Sequence, residues 1–374
     1  MRVVTIGIAV GLVALLVGCA QDAEKDASEG VSENRIRVVQ ADIDRAVEAG
    51  VTGMIATLTE NGKTVTLTSG VADIGTRAPI PAAPPQRVRI GSVSKTFTSA
   101  VVLQLVAEGR VRLDEPVDTY LPGLLRGDGI DGRAITVRQI LRHQSGLPEF
   151  ADDPRVDEYR AGLEGRIMTP AEEIAIILSR PADFAPGARF EYSNSNYIVA
   201  DVLIERVTGA AYVDELNRRI LKPLRLDDTY LPGPGELDIR GSHPKGYADI
   251  DGVITDVSRI EPSLPWGAGG MVSTGDDLNR FYRALLAGQV VPEAELREMR
   301  EGVPMGMLDI SYGLGVGSSH LPCGAEYVGH TGGISGYLTI SGATPDGRAV
   351  TYTYTKPPQQ LPDQTAMLAR ALCP

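Results

Sequence analysis

Hydrophobic and polar positions along this chain follow two rhythms. Residues 51–60 (VTGMIATLTE) and 63–72 (KTVTLTSGVA) are rich in β-branched side chains and meet at Asn61-Gly62, the dipeptide of a tight hairpin. The same character returns at 312–318, 326–330, 337–343 and 349–355, with Pro345-Asp346-Gly347 turning between the last two. These stretches predict one antiparallel sheet assembled from both ends of the chain. Between them the apolar spacing becomes helical. Thr136 and Gln139 predict a capping box opening a helix over 137–142, and Thr169-Pro170 with Glu172 opens another over 170–178, ahead of Pro181. Residues 197–207 close at Gly209 and 276–287 at Gly288, each glycine suited to the turn that ends a helix. Runs of strands separated by a run of helices argue for an α+β fold, with a mainly helical insertion over roughly 100–255. A site then belongs in the cleft between the two parts.

The amino terminus fits neither rhythm. Arg2 precedes an apolar run over 3–17, followed by Gly18, Cys19 and an abrupt change to Gln, Asp, Glu, Lys and Ser. That is the pattern of an export signal. At 1.5 Å per residue the run spans roughly 22 Å, short of the about 30 Å hydrocarbon core, so a permanent membrane span is the weaker reading. Leu16-Val17-Gly18-Cys19 resembles the bacterial lipobox, in which the cysteine is lipidated and becomes the first residue after cleavage. An ordinary signal peptide holding a cysteine is the alternative. The expectation is a lipoprotein signal peptide over 1–18, a lipid anchor on Cys19 at the outer face of the cell membrane, a polar tether over 19–34 and one folded domain over 35–374.

Composition narrows the function. Of 374 residues, 43% are hydrophobic and 22% charged, which excludes a disordered or collagen-like chain. Lys and Arg total 36 against 48 Asp and Glu, a formal charge of −12, so nucleic acid is excluded as an expected partner. Three cysteines, at 19, 323 and 373, form no CxxC pair, and the histidines at 143, 243, 320 and 330 form no HExxH. No metal and no cofactor are therefore expected. Export permits a Cys323–Cys373 disulfide, with two unpaired buried cysteines as the alternative. No GxSxG nucleophile elbow is present.

The chemistry-bearing residues stand far apart. Ser92 and Lys95 open a strongly apolar helix that ends at Gly109, and three residues apart they share one helix face. A partly desolvated amine can take the proton of a serine hydroxyl that is otherwise a poor nucleophile. Read alone, Ser92 is as readily an N-cap beside a solvated lysine. Tyr192-Ser193-Asn194 follows a hundred residues later, and His330-Thr331-Gly332-Gly333 lies in a strand context. Taken singly, Tyr192 reads as a half-buried core tyrosine, Asn194 as a helix N-cap and His330 as a core or surface histidine.

Together, in this order and spacing, the three motifs SxxK, YxN and [KH]TG resemble those of the penicillin-recognising serine hydrolases, which comprise class C β-lactamases, DD-peptidases and related esterases. His143-Gln144-Ser145-Gly146-Leu147 and Leu113-Asp114-Glu115-Pro116-Val117 match the family's flanking text. The resemblance runs from about 36 to 373 and is closest to the secreted actinobacterial D-alanyl-D-alanine carboxypeptidases, which likewise carry a histidine in the third motif and a late disulfide. It implies a β-lactamase/transpeptidase-like fold, an antiparallel sheet flanked by terminal helices with the active site in the cleft. It implies Ser92 as the acylated nucleophile and Lys95 as its base. Tyr192 becomes a general acid/base drawn toward phenolate by the ammonium beside it. Asn194 would bond Lys95 or the substrate, His330 would serve as cation or proton relay, and Thr331 would meet the substrate. The backbone N–H groups of Ser92 and Gly333 would bind the oxyanion. Trp266, the only tryptophan, is similar to a cleft-lining position, with a place in the core as the alternative, and His143 corresponds to a structural position.

Two departures bear on specificity. Aligned through the late cysteines, Gly317 stands where the carboxypeptidases have an arginine that grips the substrate carboxylate, and Gly333 replaces a hydroxyl-bearing residue. A lost charge-assisted contact is worth about 1.5–3 kcal/mol. His320 or a loop residue remains as a compensating group. The expectation is a serine hydrolase of DD-peptidase/carboxypeptidase type acting on D-amino-acid peptides or related amides at the cell envelope, with a peptidoglycan stem peptide or a β-lactam as candidate partners. A β-lactamase or esterase of the same family, or a non-catalytic β-lactam or cell-wall binding protein, are the alternatives.

Overall fold

The computed structural model describes residues 30–306, 309–358 and 362–374. The expected signal peptide, Cys19 and most of the tether lie outside the described residues. Val31 is already buried in the apolar layer that holds Val39, Ile43 and Leu58, and Ser32 caps helix α1 (Glu33–Glu48) by accepting the Arg35 N–H. The folded domain therefore starts a few residues before the expected boundary at 35.

Strands β1 (Gly53–Glu60) and β2 (Lys63–Gly70) form the amino-terminal hairpin. From the carboxy-terminal third come β3 (Val303–Pro304), β4 (Ser311–Tyr312), β5 (Gly317–His320), β6 (Glu326–Ile334), β7 (Tyr337–Ala343) and β8 (Ala349–Tyr354). They build one antiparallel sheet in the order β2-β1-β8-β7-β6-β5-β4-β3, so the two ends of the chain meet where Ala56 faces Tyr352. The stretch 312–318, expected as one strand, is broken at Gly315. There φ is +79° and a Cβ would lie 2.2 Å from Ser99 Oγ, so the chain turns inward to touch the helix carrying Lys95.

Period-two alternation gives the sheet two apolar faces. One packs under α1 and the last helix, α5 (Gln364–Leu372), around Met54, Ile340, Tyr352 and Leu368. Cys323 and Cys373 are bonded, tying α5 to the β5–β6 turn. On the opposite face lie α2 (Ser94–Ala107), α3 (Ser195–Thr208) and α4 (Gly275–Leu286). Apolar residues on nearly every side of α2 are buried, as a helix enclosed by others requires, and Phe97 stacks on Phe281 of α4 at 3.8 Å. The helical region is fastened where Val88–Arg89 pairs with Val272–Ser273, so it spans a wider stretch than 100–255.

The register leaves the cleft open. Strand β5 pairs with residues 326–329 of β6, so from His330 to Ile334 the outer edge of β6 has no strand beside it among the described residues. That edge faces the start of α2.

Candidate active site

Ser92 sits in the tight turn Gly91–Val93 that leads into α2. Glycine is required on both sides of this contact. Gly91 has φ +51°, and a Cβ there would stand 2.6 Å from the Gly333 carbonyl; one at Gly332 would stand 1.9 Å from the Ile90 carbonyl. The strand and the nucleophile turn thus meet backbone against backbone. This brings the N–H groups of Ser92 and Gly333 into one neighbourhood, while Thr331 and Gly333 are exposed toward the cleft.

Lys95 lies wholly inside the protein. Its Nζ donates to Ser92 Oγ at 3.0 Å, Asn194 Oδ1 at 2.6 Å and the Ala268 carbonyl at 2.6 Å. Burial lowers its pKa to about 7, with Glu149 and Asp201 pulling the other way. A fraction of the amine is then neutral near pH 7, with a lone pair for the Ser92 proton. The other two contacts hold the nitrogen in place. Glu149 accepts both the Asn194 backbone N–H, at 2.6 Å, and its Nδ2–H, at 3.2 Å, so the amide oxygen is the atom left to face Lys95. Gly267 admits Asp201 beneath it, since a Cβ there would be 2.3 Å from the carboxyl oxygens, and this seats the next residue, Ala268, over Lys95.

Tyr192 lies in the loop before α3, and His143 holds that loop. The Glu191 N–H donates to the His143 carbonyl at 2.9 Å and the Ser193 N–H to His143 Nδ1 at 3.2 Å, clamping the tyrosine between them. The Tyr192 hydroxyl is buried and makes no well-aligned hydrogen bond among the described residues. Its pKa is raised well above the ordinary value by burial, and the nearby Ser92 hydroxyl, which acts to lower it, does not offset that. Lys95 Nζ lies 5.0 Å from the centre of the Tyr192 ring. In the resting site burial outweighs the expected pull toward phenolate. Tyr192 is a phenol, suited to giving a proton to a leaving atom.

His330 also differs from expectation. Burial, reinforced by Lys95, lowers its pKa to about 3, so it is a neutral ring, and of the two expected roles, cation or proton relay, the first does not fit. Its Nδ1–H donates to the Thr331 carbonyl at 2.7 Å, and Nε2 lies 2.9 Å from the hydroxyl of Tyr312, a residue sequence reasoning passed over.

Two cavities meet at Ser92. The larger, about 310 Å³, is lined on the catalytic side by Tyr192, Tyr312, His330 and Thr331. The smaller, about 130 Å³, is lined by Asn194, Gly333, Phe150, Leu264 and one carboxylate, Glu158. Neither has an arginine or lysine side chain in its wall among the described residues. Gly317 lies in the larger cavity where the arginine was missed, and His320 is exposed at the far end of β5, opposite Glu326, so it does not compensate. Of the two places open to Trp266, cleft and core, the second fits. Its indole packs edge-on against Tyr212 and lines neither cavity; the same stretch reaches the site through Pro265, Ala268 and Gly269 instead.

A family model described as Beta-lactamase matches residues 37–372. Among solved structures, a D-stereospecific amidohydrolase from Streptomyces sp. is 36% identical, with a TM-score of 0.81 over 90% of this chain and 98% of that one. The D-amino acid amidase from Ochrobactrum anthropi SV3, complexed with D-phenylalanine, is 25% identical with a TM-score of 0.77, over 91% and 98% of the two chains. Penicillin-binding protein 4* of Bacillus subtilis (strain 168) is 25% identical over 67% of this chain and 56% of its own. Protein flp of Staphylococcus aureus (strain N315) is 28% identical over 65% and 48%. The chain spans about half the length of these curated relatives.

Proposed function

Since the chain belongs to the Beta-lactamase family of serine hydrolases, we propose that it is an amidohydrolase that cleaves D-aminoacyl amides through an acyl-enzyme on Ser92. One observation carries the substrate reading: the cavities that meet at Ser92 contain a carboxylate, Glu158, and no arginine or lysine side chain among the described residues. Glu158 suits the free α-ammonium of an aminoacyl group, and Ser335 Oγ holds it by donating at 2.7 Å. A wall without a cation suits an uncharged leaving group better than the carboxylate of a terminal D-alanine. The likeness to a D-stereospecific amidohydrolase and to a D-amino acid amidase supports the same reading.

In this mechanism neutral Lys95 takes the Ser92 proton as Oγ attacks the amide carbon. The Ser92 and Gly333 N–H groups receive the oxyanion. Tyr192 gives its proton to the leaving nitrogen as the C–N bond breaks, and a water then attacks the ester, returning a proton to Tyr192 and the Lys95 proton to Ser92.

Intact mass after incubation with a penicillin tests the shared core. An adduct on the wild type and none on Ser92→Ala is expected; equal adducts on both would remove Ser92 as nucleophile. Turnover of D- and L-phenylalanine amide, a D-Ala-D-Ala peptide, a chromogenic cephalosporin and a short-chain ester then ranks the activities. Faster release from the peptide than from the D-amide would restore the carboxypeptidase reading, and a stable adduct without turnover would favour a binding protein. The same proposal includes export and a lipid on Cys19, tested by fatty-acid labelling that Cys19→Ala should abolish. Among the described residues no helix is long and apolar enough to cross a membrane.

A further inference from the structure

The larger cavity extends beyond what a primary amide requires. It begins at Ser92 and Tyr192 and runs along β5 and β6 to the sheet face under α5, where Tyr327, Ile340 and Leu368 line it. Gly317 opens this passage by putting no side chain there. Its cross-strand partner Gly329 seats the Tyr327 ring, since a Cβ would fall 2.4 Å from its hydroxyl, and that ring forms the passage's wall. Met305 and Ile310 complete a largely apolar wall.

The lining tells which half of a substrate enters. Tyr192 borders this cavity and not the smaller one, whereas Asn194 and Gly333 border the smaller one and not this. A proton donor must lie within hydrogen-bond reach of the leaving atom, so the leaving group lies on the Tyr192 side and the acyl group on the other.

Deepening the amide reading, and resting on it for the reaction, we propose that the Gly317–Gly329 passage is a leaving-group subsite for uncharged apolar amines or alcohols of about four to seven carbons. A group there exchanges water for Ile340, Leu368 and the Tyr327 ring. Gly317 sets the depth. A Cβ at that position meets Ile310 Cγ2 at 3.5 Å, an ordinary contact, so a side chain fits there and fills the space.

The test varies only the leaving group, in two series with one D-acyl group: the methyl, butyl and benzyl amides and the corresponding esters. In the wild type kcat/KM should rise about three- to fourfold per added buried methylene, at least tenfold from methyl to butyl. Gly317→Leu should bring that ratio to within twofold of unity, and Gly317→Ala should give an intermediate value. The ratio does not depend on how much enzyme is folded, and Gly317→Ala supplies it should the leucine variant fail to fold. A wild-type ratio below two, or one unchanged in both variants, would overturn the subsite. If the esters show the ratio while all amides are inert, the subsite stands and the amide reading falls.

Discussion

The hydroxyl of Tyr312 stands 2.9 Å from Nε2 of His330 and fixes what that ring can do. His143 Nδ1 accepts from the Ser193 N–H and Asn196 Nδ2, so its Nε2 carries the proton and donates to Tyr312 at 3.2 Å. His330 Nδ1 donates to the Thr331 carbonyl, which leaves Nε2 to accept from Tyr312. Both imidazole tautomers are set by backbone or amide partners, and both rings are neutral.

Tyr312→Phe should therefore free the Nε2 lone pair of His330 and leave the ring neutral, because burial and Lys95, which lower its pKa to about 3, both remain. Nitrogen-15 spectra should show the Nδ1–H tautomer in wild type and variant down to pH 4, with the Nε2 resonance moved in the variant by loss of its donor. The opposite tautomer in the wild type, or an Nε2 resonance unmoved in the variant, would refute the arrangement.

Acylation should follow the protonation of Lys95. Only the neutral amine accepts the Ser92 proton, so the rate of penicillin acylation should rise tenfold per pH unit below about 7 and level off above it. Glu149 favours the ammonium, hence Glu149→Gln should move the break to lower pH while slowing the plateau, because Asn194 loses its charged partner. A break that stays put would show that Glu149 acts on geometry alone.

How much of this the sequence disclosed follows from what each interaction depends on. The hairpin at Asn61-Gly62, the capping boxes at Thr136 and Thr169 and strand 337–343 were legible because their signals are local. Ser92, Lys95, Tyr192 and Asn194 were legible from motif order, and the structure gathers them around one amine. Glu149 and Tyr312 were not, because each acts through a partner 45 or 18 residues away and neither belongs to a motif. The burial that keeps Tyr192 a phenol and His330 neutral is likewise a property of packing, and Trp266 stayed open between cleft and core because an indole suits both.

Breaking the Cys323–Cys373 bond should loosen α5 from the sheet. The bridge spans 50 residues, for which loop entropy gives about 4 kcal/mol. Arg35 adds a second tie by donating to the Cys373 carbonyl at 2.6 Å. Reduction, or Cys373→Ser, should lower the midpoint of thermal unfolding by several degrees, and hydrogen exchange should quicken first in 364–372. Unchanged exchange there would mean that packing of Met367 and Leu368 alone holds the helix.

Glu173, in the helix Pro170–Leu178, is fully buried with neither carboxyl oxygen hydrogen-bonded among the described residues. Burial raises its pKa to about 9, and Asp201 and Glu172 push the same way, so the folded protein holds this proton at neutral pH while the unfolded chain does not. A folded pKa above the unfolded value means stability that is intact below about pH 4.5 and lost progressively as pH rises toward 9. Glu173→Met keeps the volume and removes both orphan oxygens. It should stabilise the protein by roughly 1–3 kcal/mol at pH 7, with a gain that is smaller at pH 5 and larger at pH 8. Denaturant unfolding at the three pH values checks this, and a gain that does not grow with pH would show that Glu173 is ionised in the fold.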